Sequence, residues 1–453
     1  MEAPSSLPSS LSALAARYGT DAPAVLEQLK RTNECSSPIA LVGERLTIDR
    51  ETGEIIDRYG SDQEPTGVVL LPCRNRRASR CPACSHVYRG DAFALTRAGL
   101  AGDEAKGVPS ALADHPRVFA TFTAPSFGSV HRRVVRAGVV LPCRQRRDDP
   151  ICSHGRAATC RLRHDELDPA LGQAICPDCF DYEGAVLWNA FMPVLWRRTI
   201  TNLPRVLASR VGLSAAIPQG SCRIRFAKVA EFQRRGLVHL HVIFRLDGPD
   251  QRVEAPPDGA TTELLADVVA RAAARTSLSI TRPDGGRLSI RWGAQMHVRA
   301  IRPGDEGEDS DAAVSGYVAK YATKAAESAG GLDRRIRSEF EIAHLAVSDH
   351  ARRLMVACWG IGGLPEFEHL RLREWAHMLG FRGHFLTKAR RYSVTFGELR
   401  SARMRYRAEL ALIARGDADD SLRNRPSALV VGRFSFAGAA RAVVSPHETG
   451  GRP

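Results

Sequence analysis

Apolar and polar positions alternate with a period of two on both sides of a short basic turn in the middle of the chain. Ser221 to Glu231 reads S-C-R-I-R-F-A-K-V-A-E, and Glu231 to Phe244 reads E-F-Q-R-R-G-L-V-H-L-H-V-I-F. This is the pattern of two strands, with Arg234-Arg235-Gly236 as the hairpin turn between them. In the second strand Val238, Leu240, Val242 and Phe244 alternate with His239, His241 and Ile243, so both imidazoles project from one face. The hairpin predicts that Glu231 returns beside them as an oxygen ligand. Two imidazoles and a carboxylate leave most of a divalent ion's coordination sphere open to water or a phosphate oxygen, which suits catalysis better than a closed structural site. The bland alternative is a half-exposed polar strand face.

The pattern elsewhere predicts further elements. Arg117 to Ala124 and Leu288 to Arg302 read as strands, and His297, alone on the second, could approach the metal but reads rather as a hydrogen-bonded surface residue. Leu46 to Tyr59 reads as a small hairpin around E-T-G-E. Helices are predicted at Pro23–Arg31, Asp181–Arg210, Thr262–Arg275, Arg334–Ala357 and Glu366–Leu379. Leu187, Trp188, Phe191, Leu195 and Trp196 form a core-facing stripe on the second of these. Asp311 to Ser328, D-A-A-V-S-G-Y-V-A-K-Y-A-T-K-A-A-E-S, is Ala-rich and free of proline, which favours helix. Tyr317 and Tyr321 lie four apart on one face of it, and Lys320 and Lys324 lie four apart on an adjoining face. A phenol ionises near pH 10 and attacks phosphorus only with help from metal or ammonium charge.

Cysteines cluster upstream of the histidine strand. L-P-C-R-N-R-R-A-S-R-C-P-A-C from Leu71 is echoed at Leu141 by L-P-C-R-Q-R-R-D-D-P-I-C-S-H-G, followed by T-C-R-L-R-H and I-C-P-D-C. The knuckles Cys81/Cys84 and Cys176/Cys179 have zinc-ligand spacing, and a shared structural Zn2+ between them is expected to clamp the core. Cys73, Cys143, Cys152, Cys160 and His164, with His154 as a further candidate, suffice for a second zinc. Unligated thiols or a redox pair are the alternatives. Cys35, Cys222 and Cys358 stand alone and read as buried apolar fillers.

The chain has 453 residues and a formal net charge of +14, which favours an anionic partner such as nucleic acid. No apolar run approaches the roughly 20 residues that span a bilayer, and the first residues lack a signal-peptide pattern, so a cytoplasmic, membrane-free protein with reduced thiols is expected. Basic residues interleave with Phe381, Phe385, Tyr392 and Phe396, which marks Arg382, Lys388, Arg390 and Arg391 as candidate DNA contacts. The alternative there is an amphipathic module with a solvated basic face.

H-L-H within an apolar strand, followed by Y-V-A-K-Y-A-T-K, resembles the His-hydrophobic-His (HUH) endonucleases, in particular the rolling-circle replication initiators of actinobacterial plasmids. Val118-Phe119-Ala120-Thr121-Phe122-Thr123-Ala124-Pro125 is similar to that family's first motif, an apolar strand ending in Thr-x-Thr. The resemblance covers about Arg117 to Lys324. It implies an α+β fold: a central antiparallel sheet carrying the His-x-His strand, with flanking helices, a cysteine-rich zinc-binding insertion and a C-terminal helical basic domain. The expected divisions are a variable segment at 1–65 and the endonuclease domain at 66–330 with its insertion at about 138–182. A basic DNA-binding domain at 331–415 and a disordered tail at 416–453 complete them.

It further implies that Glu231, His239 and His241 hold Mg2+ or Mn2+, that Tyr317 or Tyr321 attacks the scissile phosphate of duplex or single-stranded origin DNA with Lys320 and Lys324 nearby, and that Thr121 and Thr123 face metal and DNA. No G-x-x-x-x-G-K-[ST] motif occurs, so unwinding and synthesis are expected to fall to a host helicase and polymerase. Transposases and relaxases share this chemistry, and a non-enzymatic zinc-containing DNA-binding regulator is the reading from another class.

Overall fold

The computed structural model describes residues 19–212, 217–218, 220–249, 254–304, 306–324, 326–415 and 428–439. The chain divides into two units, one of Met1–Asp91 with Thr395–Pro453 and one of Ala92–Val394.

In the first unit Ile39–Asp49 is the central strand of a small antiparallel sheet. It pairs on one side with Ala428–Ala439 and on the other with Ile55–Gly60 and, at its start, Val69–Leu71. This corrects two expectations. Residues 19–65, expected within a separate variable lead-in, supply two strands of this sheet, and the segment 416–453, expected to be disordered, contributes a twelve-residue strand; residues 1–18 and the rest of 416–453 lie outside the described residues. A-L-V-V-G-R-F-S-F-A-G-A is rich in strand formers, a signal hidden by the Asp, Ser, Gly and Pro around it. Gly43 is needed where the two long strands meet, because a side chain there would strike the Arg433 carbonyl and its φ of 146° disfavours any other residue.

The second unit is built on a five-stranded antiparallel sheet, in the order His297–Ala300, Arg117–Phe122, Val238–Asp247, Arg223–Phe232 and Leu386–Lys388. Alternation sends Phe122, Leu240, Val242, Phe244 and Phe232 into the main core against the helix Tyr182–Val211. Trp196 of that helix meets Phe226 edge-on at 5.3 Å and Phe122 at 5.8 Å. The aromatic stripe is therefore core, as expected. Asn189, fully buried on the same helix, donates to the carbonyls of Gly236 and Leu379 at 2.8 Å and accepts from the Val238 N–H at 3.1 Å. That clamp fixes the turn just before His239.

The opposite face carries Glu231, His239 and His241 at one end and a buried ionic network at the other. Arg117 donates to Asp311 at 2.9 Å and to the Leu100 carbonyl at 2.6 Å. Arg245 grips both oxygens of Asp247, at 2.6 and 2.9 Å, and His115 meets the same carboxylate at 2.9 Å. Charges this deep are tolerated only when paired. Asp311 opens the helix Asp311–Ala322, so the Arg117 pair ties that helix to the sheet.

Residues 331–394 are not a separate domain, which corrects the expected boundary. Leu386–Lys388 is an edge strand of the main sheet, and Phe381 and Tyr392 are fully buried. Phe381 and Phe385 pack on Phe232, and the Tyr392 hydroxyl donates to the Thr96 carbonyl. Burying such a ring contributes about 1.5–3 kcal/mol, enough to pull these aromatics out of the basic surface that the arginine-rich sequence suggests. Among the described residues no helix is long and apolar enough to cross a membrane.

Candidate active site

The hairpin register sets Glu231 directly opposite His239, and Thr121 on the other neighbouring strand directly opposite His241. Side chains in such positions share a face and touch. Glu231 Oε2 lies 2.8 Å from His239 Nε2 and 3.1 Å from His241 Nε2, and the two imidazole nitrogens are 3.2 Å apart. Three donor atoms thus converge on one point, as a metal requires. Burial alone would raise the Glu231 carboxyl, but the hydrogen bonds from both imidazoles hold it down at about 2, so it stays anionic. His241 is 3 % exposed, and burial lowers its pKa, keeping the ring neutral as a ligand must be. Its Nδ1 lies 3.1 Å from Thr121 Oγ1, so Nε2 is the nitrogen turned toward Glu231 and able to face a metal, and Phe119 stacks on its flank at 5.8 Å.

The helix Asp311–Ala322 lays both tyrosines over this point. It begins at the Ser310 N-cap, whose side chain accepts from the Ala313 N–H. The Tyr317 hydroxyl lies 3.2 Å from His241 Nε2, and the two phenol rings are 4.5 Å apart. Burial raises both phenol pKa values, and the Tyr321 hydroxyl adds to the effect on Tyr317. Both phenols therefore remain protonated until charge arrives beside them. Lys324 Nζ sits 4.4 Å from the Tyr321 ring and 3.8 Å from Glu231 Oε1, while Lys320 is exposed and 5.8 Å from the same ring.

Beside Tyr317 lies a cleft of about 900 Å3 lined by Phe119, Thr121, His297, Arg299 and Glu308. His297 is exposed here and pairs across from Thr121 on the site face. Arg299, which sequence reasoning missed, stacks its guanidinium 5.2 Å from Phe119 and pairs with Asp309 at 2.9 Å. Its place at alternate positions with His297 was the available signal.

Among the described residues the cysteines form three four-residue groups, each able to hold a metal ion: Cys35, Cys73, Cys81 and Cys84; His131, Cys143, Cys160 and His164; and Cys152, His154, Cys176 and Cys179. The expectation that the two knuckles share one ion is corrected, since each knuckle completes its own group within its own unit. Cys35 is a group member rather than an isolated filler. His131 was missed altogether. Neither has a neighbour at ligand spacing in the sequence, and only folding brings them in.

The expected DNA contacts are redistributed. Thr121 serves His241 at the wall of the cleft, but Thr123 Oγ1 is turned inward and donates to the Gln295 carbonyl. Arg382, though exposed, donates to the carbonyls of His369 and Leu370. Lys388 is half-buried and donates to the Ser393 and Arg390 carbonyls at 2.7 and 3.3 Å, closing the loop after the edge strand. Arg390 is exposed and Arg391 half-buried. A basic run in sequence marks charge, and the fold has spent part of it on carbonyls.

A family model described as replication initiator protein, pSAM2 (RepSA), matches residues 21–448 of this chain. A replication initiator protein of Streptomyces ambofaciens is 45% identical over 418 residues, covering 91% of this chain and 85% of its own length. No solved structure matches the chain.

Proposed function

The chain belongs to the RepSA family of replication initiator proteins, and on that premise we propose that it starts plasmid replication by nicking one strand of origin DNA through tyrosine transesterification of the HUH type, as in rolling-circle replication. The observation that carries this reading is the placing of the Tyr317 hydroxyl 3.2 Å from His241 in the Glu231, His239 and His241 group. A nucleophile and an open three-donor metal site have no structural reason to coincide.

One carboxylate and two imidazoles could hold a divalent ion such as Mn2+ or Mg2+, which when bound would supply charge neutralisation at the non-bridging oxygens of the scissile phosphate. Tyr317 lines the cleft and is the first nucleophile in this reading. Its oxygen forms a bond to phosphorus, the bond from phosphorus to the 3′ oxygen breaks, and the phenol gives up its proton as the leaving 3′ oxygen gains one. The product is a 5′-phosphotyrosine and a free 3′ hydroxyl, which conserve the phosphodiester for later rejoining. Tyr321, under Lys324, takes the second transfer in this reading, when replication returns to the origin. In this reading Arg299 in the cleft wall and the exposed Lys320 supply positive charge for the strand's phosphates. Host helicase and polymerase do the unwinding and synthesis.

The test is incubation of the full chain with supercoiled plasmid bearing its origin and Mn2+ or Mg2+. Nicked circles with protein on the 5′ end are expected, with Tyr317→Phe reducing the covalent product by at least about 10^3-fold because the first step loses its nucleophile. Origin binding by folded protein without any nick would instead identify a non-enzymatic regulator.

A further inference from the structure

We infer that the protein carries three separate structural zinc centres, one in the first unit and two in the second, using nine of the eleven cysteines with His131, His154 and His164 as the remaining ligands. The ligand sets are four sulphurs, two sulphurs with two nitrogens, and three sulphurs with one nitrogen.

The distances match a metal-filled tetrahedron. Zinc lengths of about 2.3 Å to sulphur and 2.0–2.1 Å to nitrogen give ligand–ligand edges of about 3.3–3.8 Å. Cys35 and Cys81 sulphurs are 3.7 Å apart, and those of Cys152 and Cys176 are 3.6 Å apart. Cys160 Sγ lies 3.5 Å from His164 Nε2, and His154 Nδ1 lies 3.2 Å from Cys179 Sγ. The nitrogens His131 Nδ1 and His164 Nε2 are 3.2 Å apart. Backbone N–H groups point at the sulphurs: Cys73 N–H at Cys35, Cys84 N–H at Cys81 and Arg132 N–H at Cys143. Such donors favour thiolate over thiol.

The second centre has its own orienting carboxylate. Asp168 lies 2.6 Å from His164 Nδ1 and is itself held by the Ala170 N–H at 2.8 Å. It accepts a hydrogen bond from Nδ1–H and leaves Nε2 facing the cysteines, the arrangement that fixes histidine ligands in metal sites.

The need for these ions is visible in the packing. Between the strand Arg117–Phe122 and the helix Tyr182–Val211 the chain makes an excursion whose regular structure is two three-residue strands, Val134–Arg136 and Val139–Leu141, and one helical turn. Apart from cysteines, its buried apolar residues from 126 to 180 are Phe127, Ala174 and Phe180. So small an apolar core does not hold a segment of that length, and ions at the second and third centres do.

The test uses the full chain with His239→Ala and His241→Ala, which removes two of the three nicking-site donors. Elemental analysis of the folded protein is expected to give three zinc ions per chain, and nine thiols should become reactive in step with zinc release by a mercurial. Cobalt replacement should give tetrahedral ligand-field bands with thiolate charge transfer scaling to nine sulphurs. Asp168→Asn should keep three zinc ions but lose one of them faster to a chelator, a change that a packing role alone would not produce. Two ions or fewer in folded protein, or one group's thiols reacting freely while zinc stays bound, overturns the inference. The count is independent of nicking, so the two readings fail separately.

Discussion

Glu231, His239 and His241 stand on two strands whose register is set by backbone hydrogen bonds and whose other face is the main core, whereas the cysteine groups stand largely on turns and short irregular segments. The first site is held by the fold. The cysteine groups, in the zinc reading, hold the fold. The contrast follows from coordination: a catalytic ion must keep positions open for phosphate and so has few ligands to spend on stability, while a closed four-ligand ion commits them all.

The largest effect that would sharpen this comparison is chelation. Removing zinc is expected to raise amide exchange across 126–180 by at least about 10^3-fold, reflecting loss of a metal-coupled folding energy, while amides of the histidine hairpin stay protected. Equal loss in both regions would erase the distinction. Next comes the tie between the tyrosine helix and the sheet. Burial raises the Asp311 carboxyl and Arg117 opposes that, so Arg117→Ala leaves a buried carboxylate unpaired and should cost about 3–5 kcal/mol in chemical denaturation. The double change Arg117→Met with Asp311→Leu should recover most of it.

A smaller change acts on the site alone. Thr121→Val removes the oxygen beside His241 Nδ1 and should weaken Mn2+ binding about 10- to 100-fold in titration calorimetry, with melting little altered. The smallest effect is a pH dependence. Burial would raise Asp247, but His115 and Arg245 hold it below the usual carboxylate range, with Arg225 also near. Its folded pKa is depressed, so its contribution is present above the unfolded value near 4 and is lost as pH falls through the folded value. The stability gap between wild type and Asp247→Asn, read from urea midpoints, should therefore shrink on acidification below about pH 4. A gap that widens there would contradict the pairing.

What the sequence showed and hid follows the same contrast. A period-two strand pair joined by a tight turn specifies its own contacts, so the meeting of Glu231 with His239 and His241 was readable from residues 221–244. The single face of Tyr317 and Tyr321 was readable from helical spacing. The partition of the cysteines was not, because it depends on which turns fold back on which. Cys35 joins Cys73 across 38 residues and His131 joins His164 across 33. The pairing of Ile39–Asp49 with Ala428–Ala439 was hidden for the same reason, as nearly four hundred residues separate the strands. Phe381 and Tyr392 were misjudged because neighbouring arginines gave a surface pattern to residues whose rings fill the core.

The most direct test of the central claim is to trap the protein on a 5′-labelled origin strand, digest the adduct and sequence the DNA-linked peptide. The account predicts a phosphodiester on Tyr317 in the first turnover, passing to Tyr321 only when a second cleavage is allowed. A linkage on any residue outside that helix, or efficient nicking with no covalent peptide, would contradict it.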